Sequence, residues 1–396
     1  MTTQAGSENR LTWRKRDLSA EQHCKSARVQ KYGLLLLGLT PLLLLLSRFL
    51  LPQQLVDNRV GVSIINQVYA WGTAFPATFV KSDFPVWFYH AFYAVFPFIP
   101  DSLQVWDVAM LAVGGVLLLA LLVRFTDIYK SSGFQTVVLL TLVVISGIFI
   151  FQVSKDFIQC LIFTLAFAVV ISKRLSMRTK TFLLALLFIG EGLLWRTYYL
   201  IAAFFIPSIY LMLSRITAVK RTDGSLWKSV IVCLAITVAT MVVFAFVLHA
   251  VSPSDYSTIA YQHSIDREDF TATDAASGIS SVIPISSGSS PLAFVVNWAI
   301  NVFRLLVPIE LLVKSLKYFP FVIFQLVVTW CVVRTLSRLK SNRVTALMVA
   351  VMLAFVITSA SFEPDFGSWV RHETAAFSFL IELVGLSNLG CKESAS

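Results

Sequence analysis

Val344-Thr-Ala-Leu-Met-Val-Ala-Val-Met-Leu-Ala-Phe-Val-Ile-Thr-Ser-Ala-Ser361 carries no charge, and it breaks off into Phe362-Glu-Pro-Asp-Phe-Gly-Ser-Trp-Val-Arg-His-Glu373. At about 1.5 Å of rise per residue, the first run is long enough to cross most of a hydrocarbon core as a helix. The second gathers Glu363, Asp365, Arg371, His372 and Glu373 beside Phe362, Phe366 and Trp369. Pro364 and Gly367 favour a shaped loop over a continued helix. Interleaved aromatic residues are the habit of a membrane–water boundary. A further apolar run, Thr374–Leu386, follows.

The same pattern, apolar run then polar turn, extends back through the chain. Its 396 residues are 57% hydrophobic and 14% charged, with a mean hydropathy of +0.77. A soluble domain carries about 25% charged residues. Apolar runs fall at Leu34–Leu51, Gln104–Phe125, Phe134–Val153, Phe157–Ser172, Thr181–Leu194, Thr197–Ser214, Ser229–Ala250, Tyr318–Val333 and the two already quoted. Lipid cannot satisfy exposed backbone groups, and no barrel-like alternation is present, so helices are expected. The expected fold class is all-α, a polytopic transmembrane helix bundle of about ten spans. An outer interfacial helix lies around Pro85–Phe98, rich in Trp87, Phe88, Tyr89, Phe92, Tyr93 and Phe96. A re-entrant or surface helix is expected over Leu292–Val313, which is apolar but holds Arg304 and Glu310.

This divides the chain into a basic tail at 1–33, a single transmembrane domain at 34–390 and a short tail at 391–396. Within the domain, 52–103 is a first outer loop, 251–317 a large outer loop with the re-entrant helix, and 361–373 an outer polar loop. The polar lead before Leu34 is too long for a signal peptide, and Pro-Gln-Gln after Leu51 is no cleavage site, so the first run is expected to stay. With both termini placed in the cytoplasm, 22 of the 32 basic residues lie inside and 15 of the 22 acidic residues outside. That is the positive-inside bias. The formal charge of +10 is therefore a charge facing anionic lipid, and nucleic acid is not an expected partner.

The five cysteines, Cys24, Cys160, Cys233, Cys331 and Cys391, show no CxxC spacing. There is no HExxH and no GxxxxGK[ST], and the five histidines have no metal-like spacing. No cofactor is required and no metal ligands are assigned; a divalent cation held by carboxylates is compatible with the residues.

On this topology the polar clusters share one face. They are Asp57, Arg59, Lys81, Asp83 and His90 in the first loop, Ser154-Lys155-Asp156, then Glu191 with Arg196 and Tyr199, and the 361–373 stretch. Ionisable residues at membrane depth are expensive and are candidates for function. The bland reading is an ion pair of Arg196 with Glu191, or snorkelling to the interface.

The run Lys81-Ser-Asp83-Phe-Pro85-Val-Trp87-Phe-Tyr89-His-Ala-Phe-Tyr93, the following Phe98-Ile-Pro-Asp-Ser-Leu-Gln-Val-Trp106 and the later Ser154-Lys155-Asp156 resemble GT-C-type membrane glycosyltransferases. The layout, with outer-face Arg196 and Arg371, is also similar to bacterial O-antigen and exopolysaccharide repeat-unit polymerases. The first loop lacks the paired acidic residues of those families, and 251–291 holds only Arg267 where an arginine-rich motif would stand. The resemblance implies transfer of a sugar or glycan from a polyprenyl-(pyro)phosphate carrier at the outer face, in surface polysaccharide assembly. Membrane lipid and other polysaccharide-assembly proteins are the further partners it implies.

Such a site needs cations for the phosphates and a base for the acceptor hydroxyl. Lys155, Arg196, Tyr199, Arg304 and Arg371 are the candidate binding residues. Asp57, Asp83, Asp156, Asp365 and His372 are the candidate catalytic residues, with Glu363 beside them. The alternative is a lipid-linked glycan transporter or flippase, which would place polar groups on broken helices at the midplane.

Overall fold

A computed structural model describes residues 31–48, 58–72, 79–129, 132–218, 226–251, 253, 290–337, 342–362 and 366–387. The described residues form helices and turns, with no strand among them. The helices are α1 (Lys31–Arg48), α2 (Asn58–Trp71), α3 (Phe84–Val95), α4 (Leu103–Tyr129), α5 (Gly133–Phe149), α6 (Lys155–Ile171), α7 (Met177–Leu194) and α8 (Tyr199–Ala218). They continue with α9 (Leu226–Val251), α10 (Pro291–Leu306), α11 (Glu310–Lys314), α12 (Phe319–Ser337), α13 (Arg343–Phe362), α14 (Phe366–Ala375) and α15 (Phe377–Leu386). Asp57, Glu363 and Asp365 lie outside the described residues, as do the first 30 residues and most of 251–291.

Serines start several of these helices. The Ser132 side chain accepts from Gln135 N while the Gln135 side chain accepts from Ser132 N, a reciprocal cap on α5. Ser154, Ser176 and Ser290 cap α6, α7 and α10 in the simpler way.

α1, α4, α12 and α13 are long and apolar enough to cross a membrane. α13 is the central one, with 89% of its apolar window buried inside the protein. It packs most extensively on α8, which in turn packs on α7. Glycines allow close approaches elsewhere. A Cβ on Gly147 of α5 would collide with the Ser47 hydroxyl of α1, and one on Gly385 of α15 with the Tyr129 ring of α4.

Two expectations change. Residues 366–375 form a helix instead of a loop, and its buried side includes Phe366, Trp369, Val370 and Glu373. Gly367 sits in the first turn, where lost intrahelical bonds matter least, so it does not break the element. The stretch read as one helix over Leu292–Val313 is two, α10 and α11, parted at Val307-Pro308-Ile309. Proline lacks the N–H that would continue the ladder. Helix α2 was not foreseen within the first loop; its tip is tied to α3 by His90 Nε2, 2.9 Å from Gly72 O.

α15 has only ten residues, about 15 Å against a core of about 30 Å. It follows α14 after a single break at Ala376, so the two make one apolar column with an ionisable upper half. α14 lies against α5 and α6, and this contact builds the site.

Candidate functional site

The first turn of α6 is the hub. Tyr89 of α3 fixes where it starts: its hydroxyl donates to Ser154 O at 2.8 Å and accepts from Ser154 N at 2.9 Å. Asp107 of α4 accepts from Val153 N at 2.8 Å. Asp107 is itself ion-paired with Arg48 of α1, which also donates to Gln152 Oε1 at 3.2 Å. The start of α6 is thus tied to α1, α3 and α4.

Asp156 then points inward, with 2% of its side chain exposed. Three groups from two distant stretches converge on it. Arg196, from the turn between α7 and α8, places Nη2 3.0 Å from Oδ1. His372 of α14 places Nε2 3.1 Å from the same oxygen. Arg371 places Nε 2.7 Å from Oδ2. The Arg371 N–H is not aligned on that oxygen, so the contact is an ion pair more than a directed hydrogen bond. Burial works against the Asp156 carboxylate, but His372, Arg371 and Arg196 together outweigh it and hold the group well below the usual carboxylate range.

Exposure rises outward through the cluster: Arg196 is 10% exposed, His372 12% and Arg371 36%. Lys155 is exposed at the rim. Partial burial, then Arg196 and Arg371 nearby, lower its pKa, while Asp156 acts the other way. The site is a buried anion surrounded by two arginines and a histidine, with a lysine at the exposed rim.

Arg196 has further supports. Nη1 donates to Gln159 Oε1 at 3.3 Å, and the guanidinium lies over the Trp195 ring, 4.3 Å from its centre. Lys81 of the first loop donates to Gly192 O and to Thr197 Oγ1, each at 2.7 Å, so that loop is tied to the same corner. Tyr199 is fully buried, stacked on Phe188 with ring centres 5.7 Å apart.

One pairing differs from the bland expectation, and another takes a candidate binding residue, Arg304, away from the cluster. Arg196 pairs with Asp156 and not with Glu191. Glu191 is buried at 4%, and neither of its oxygens makes a well-formed hydrogen bond, although Gln159 lies beside it. Arg304 is taken up by Glu310 through Nε and Nη2, both at 2.7 Å. α10, which carries it, packs on α9, α12 and α13, and α6 is not among its main neighbours. Asp83 sits on the turn Lys81–Asp83 and accepts from the Ser82 hydroxyl at 3.1 Å.

The chain matches no family model, no curated protein and no solved structure. What the site can do therefore rests on its own geometry.

Sequence reading missed three buried polar groupings. One is Arg48 with Asp107 and Gln152. A second joins Arg124 and Tyr129 of α4 to Glu382 of α15. A third has Trp369 Nε1 donating to Gln325 Oε1 at 2.9 Å and Gln325 Nε2 donating to Glu373 Oε1 at 3.3 Å. The signal available for each was a charged or amide side chain close to the end of an apolar run. Among the described residues, no three His, Cys, Asp or Glu side chains gather into a group able to hold a metal ion.

Proposed function

We propose that the chain is a polytopic membrane glycosyltransferase or polysaccharide polymerase. It takes a sugar or growing glycan from a polyprenyl-pyrophosphate carrier at the outer face of a bacterial inner membrane. The observation behind this reading is the convergence of Arg196, Arg371 and His372 on one buried carboxylate, with Lys155 at the rim. Asp156 offsets only one positive charge, and the remaining excess suits a pyrophosphate.

In this reading Asp156 orients its partners, since three cationic or proton-donating groups hold it ionised. Arg371 and Lys155, the most exposed members of the cluster, receive the carrier phosphates, and the more buried Arg196 completes the clamp. The acceptor hydroxyl attacks the anomeric carbon and the bond from that carbon to the phosphate oxygen breaks. The bonding pair leaves with the pyrophosphate, which the cations stabilise. The hydroxyl proton passes to His372. With Nε2–H donated to Asp156, the acceptor atom of that ring is Nδ1. Among Asp57, Asp83, Asp156, Asp365 and His372, the histidine is the base we assign.

A second reading, a flippase for the same lipid-linked glycan, draws on the break between α14 and α15 beside charged side chains. Deleting the gene separates the two. Transfer predicts loss of long surface polysaccharide, with lipid-linked glycan accumulating at the outer face. Accumulation confined to the inner face would favour the flippase, and unchanged surface polysaccharide would sink both readings.

Ten spans with both termini in the cytoplasm belong to the same proposal. Single cysteines at Ser277 and Asp365 are expected to react with an impermeant reagent in intact cells, and those at Lys220 and Asn342 to be protected. Reaction at Lys220→Cys with protection at Ser277→Cys would invert the arrangement and put the Asp156 hub on the wrong side.

A further inference from the structure

Away from the hub, an open groove of about 440 Å³ runs between α5 and α12. Phe134, Ile323, Leu326, Val327 and Trp330 line it, all of them apolar. From Ile323 to Trp330 it follows α12 for about 10 Å. Phe134 closes one wall by meeting Trp330 edge-on, ring centres 5.9 Å apart. One turn further along α12, the Arg334 guanidinium lies over the Trp330 ring, 4.7 Å from its centre. The trough is therefore apolar along its length and cationic at one end. Further on in the sequence, Arg343 opens α13 and is exposed.

An apolar trough ending in a guanidinium matches a molecule with a hydrocarbon chain and an anionic head. A zwitterionic lipid would fill the trough equally well, but its head offers Arg334 no net charge. We infer that this groove is a binding site for an anionic phospholipid, with one acyl chain against Trp330 and Phe134 and the phosphate at Arg334. The site is independent of the Asp156 hub and of the reaction proposed there, because none of its residues belongs to that cluster.

Brominated lipids quench tryptophan on contact, and the difference between the wild type and Trp330→Phe isolates the signal of this one ring. The full chain in nanodiscs would be titrated with brominated phosphatidylglycerol and, separately, brominated phosphatidylcholine. The Trp330 component should be quenched at about fivefold lower mole fraction of the anionic lipid, the factor carried by one basic residue at an anionic surface. Arg334→Gln should make the two lipids equivalent, Arg334→Lys should keep most of the preference, and Arg343→Gln should leave it intact. Equal quenching by both lipids in the wild type would overturn the assignment. So would a preference abolished by Arg343→Gln as fully as by Arg334→Gln, since that describes general attraction to a charged surface.

Discussion

Asp156→Asn is expected to be the most damaging conservative substitution in this protein. The side chain keeps its shape but loses its charge, leaving Arg196, Arg371 and His372 around a neutral amide. Removing one partner of a buried ionic cluster costs about 3–5 kcal/mol, because the remaining charges stay desolvated without compensation. Burial of Asp156 at 2% exposure places it in that regime, whereas a solvated turn residue would change stability by within about 0.5 kcal/mol. Thermal unfolding of the purified protein in detergent measures the difference.

The pH dependence has a definite sign. Asp156 is depressed in the folded state, so its contribution is complete above the unfolded carboxyl value of about 3.9 and is lost only as pH falls through the lower folded value. Between pH 5 and 8 the gap between wild type and variant should therefore stay constant as far as Asp156 is concerned. An Asp156→Asn protein as stable as the wild type would remove the hub from any account of this fold.

Arg196→Lys and Arg371→Lys test chemistry more than folding. Lysine retains the positive charge next to Asp156 but replaces a planar fork of N–H donors with a single point. If each arginine serves Asp156 and a phosphate together, lysine can satisfy one and not both. Losing one charge-assisted contact costs about 1.5–3 kcal/mol, about ten- to a hundredfold in transfer. Both variants are expected to reach the membrane at normal abundance and to fail to restore surface polysaccharide to a deletion strain. Arg196 is 10% exposed and Arg371 36%, so the variant at Arg196 should also lose some stability. Full restoration by both lysine variants would mean that charge alone suffices and that the phosphate clamp does not exist.

Much of the helical layout was legible from hydropathy. The run Gln104–Phe125 appears as α4 (Leu103–Tyr129), Phe157–Ser172 as α6 (Lys155–Ile171) and Ser229–Ala250 as α9 (Leu226–Val251). An apolar run with a serine before it leaves few alternatives, because burying its backbone requires internal hydrogen bonds. Pro364 and Gly367 were misleading. Their local preference for a turn does not prevent Phe366–Ala375 from coiling, since Phe366, Trp369 and Val370 gain burial against neighbouring helices.

The chain by itself marked Lys155, Arg196, Arg371 and His372 as ionisable residues beside apolar runs, and so worth attention. It did not determine their partners. Asp156 lies 40 residues from Arg196 in sequence and much further from Arg371, and nothing local favours either pairing over Arg196 with Glu191. Only the packing of α14 against α6 brings Arg371 and His372 to Asp156, and only the α10–α11 break hands Arg304 to Glu310. Hydropathy is a sum over neighbours along the chain, so it reports which segments are buried. An ion pair depends on angstrom distances between segments, and those are set by how ridges and small residues of the helices interlock.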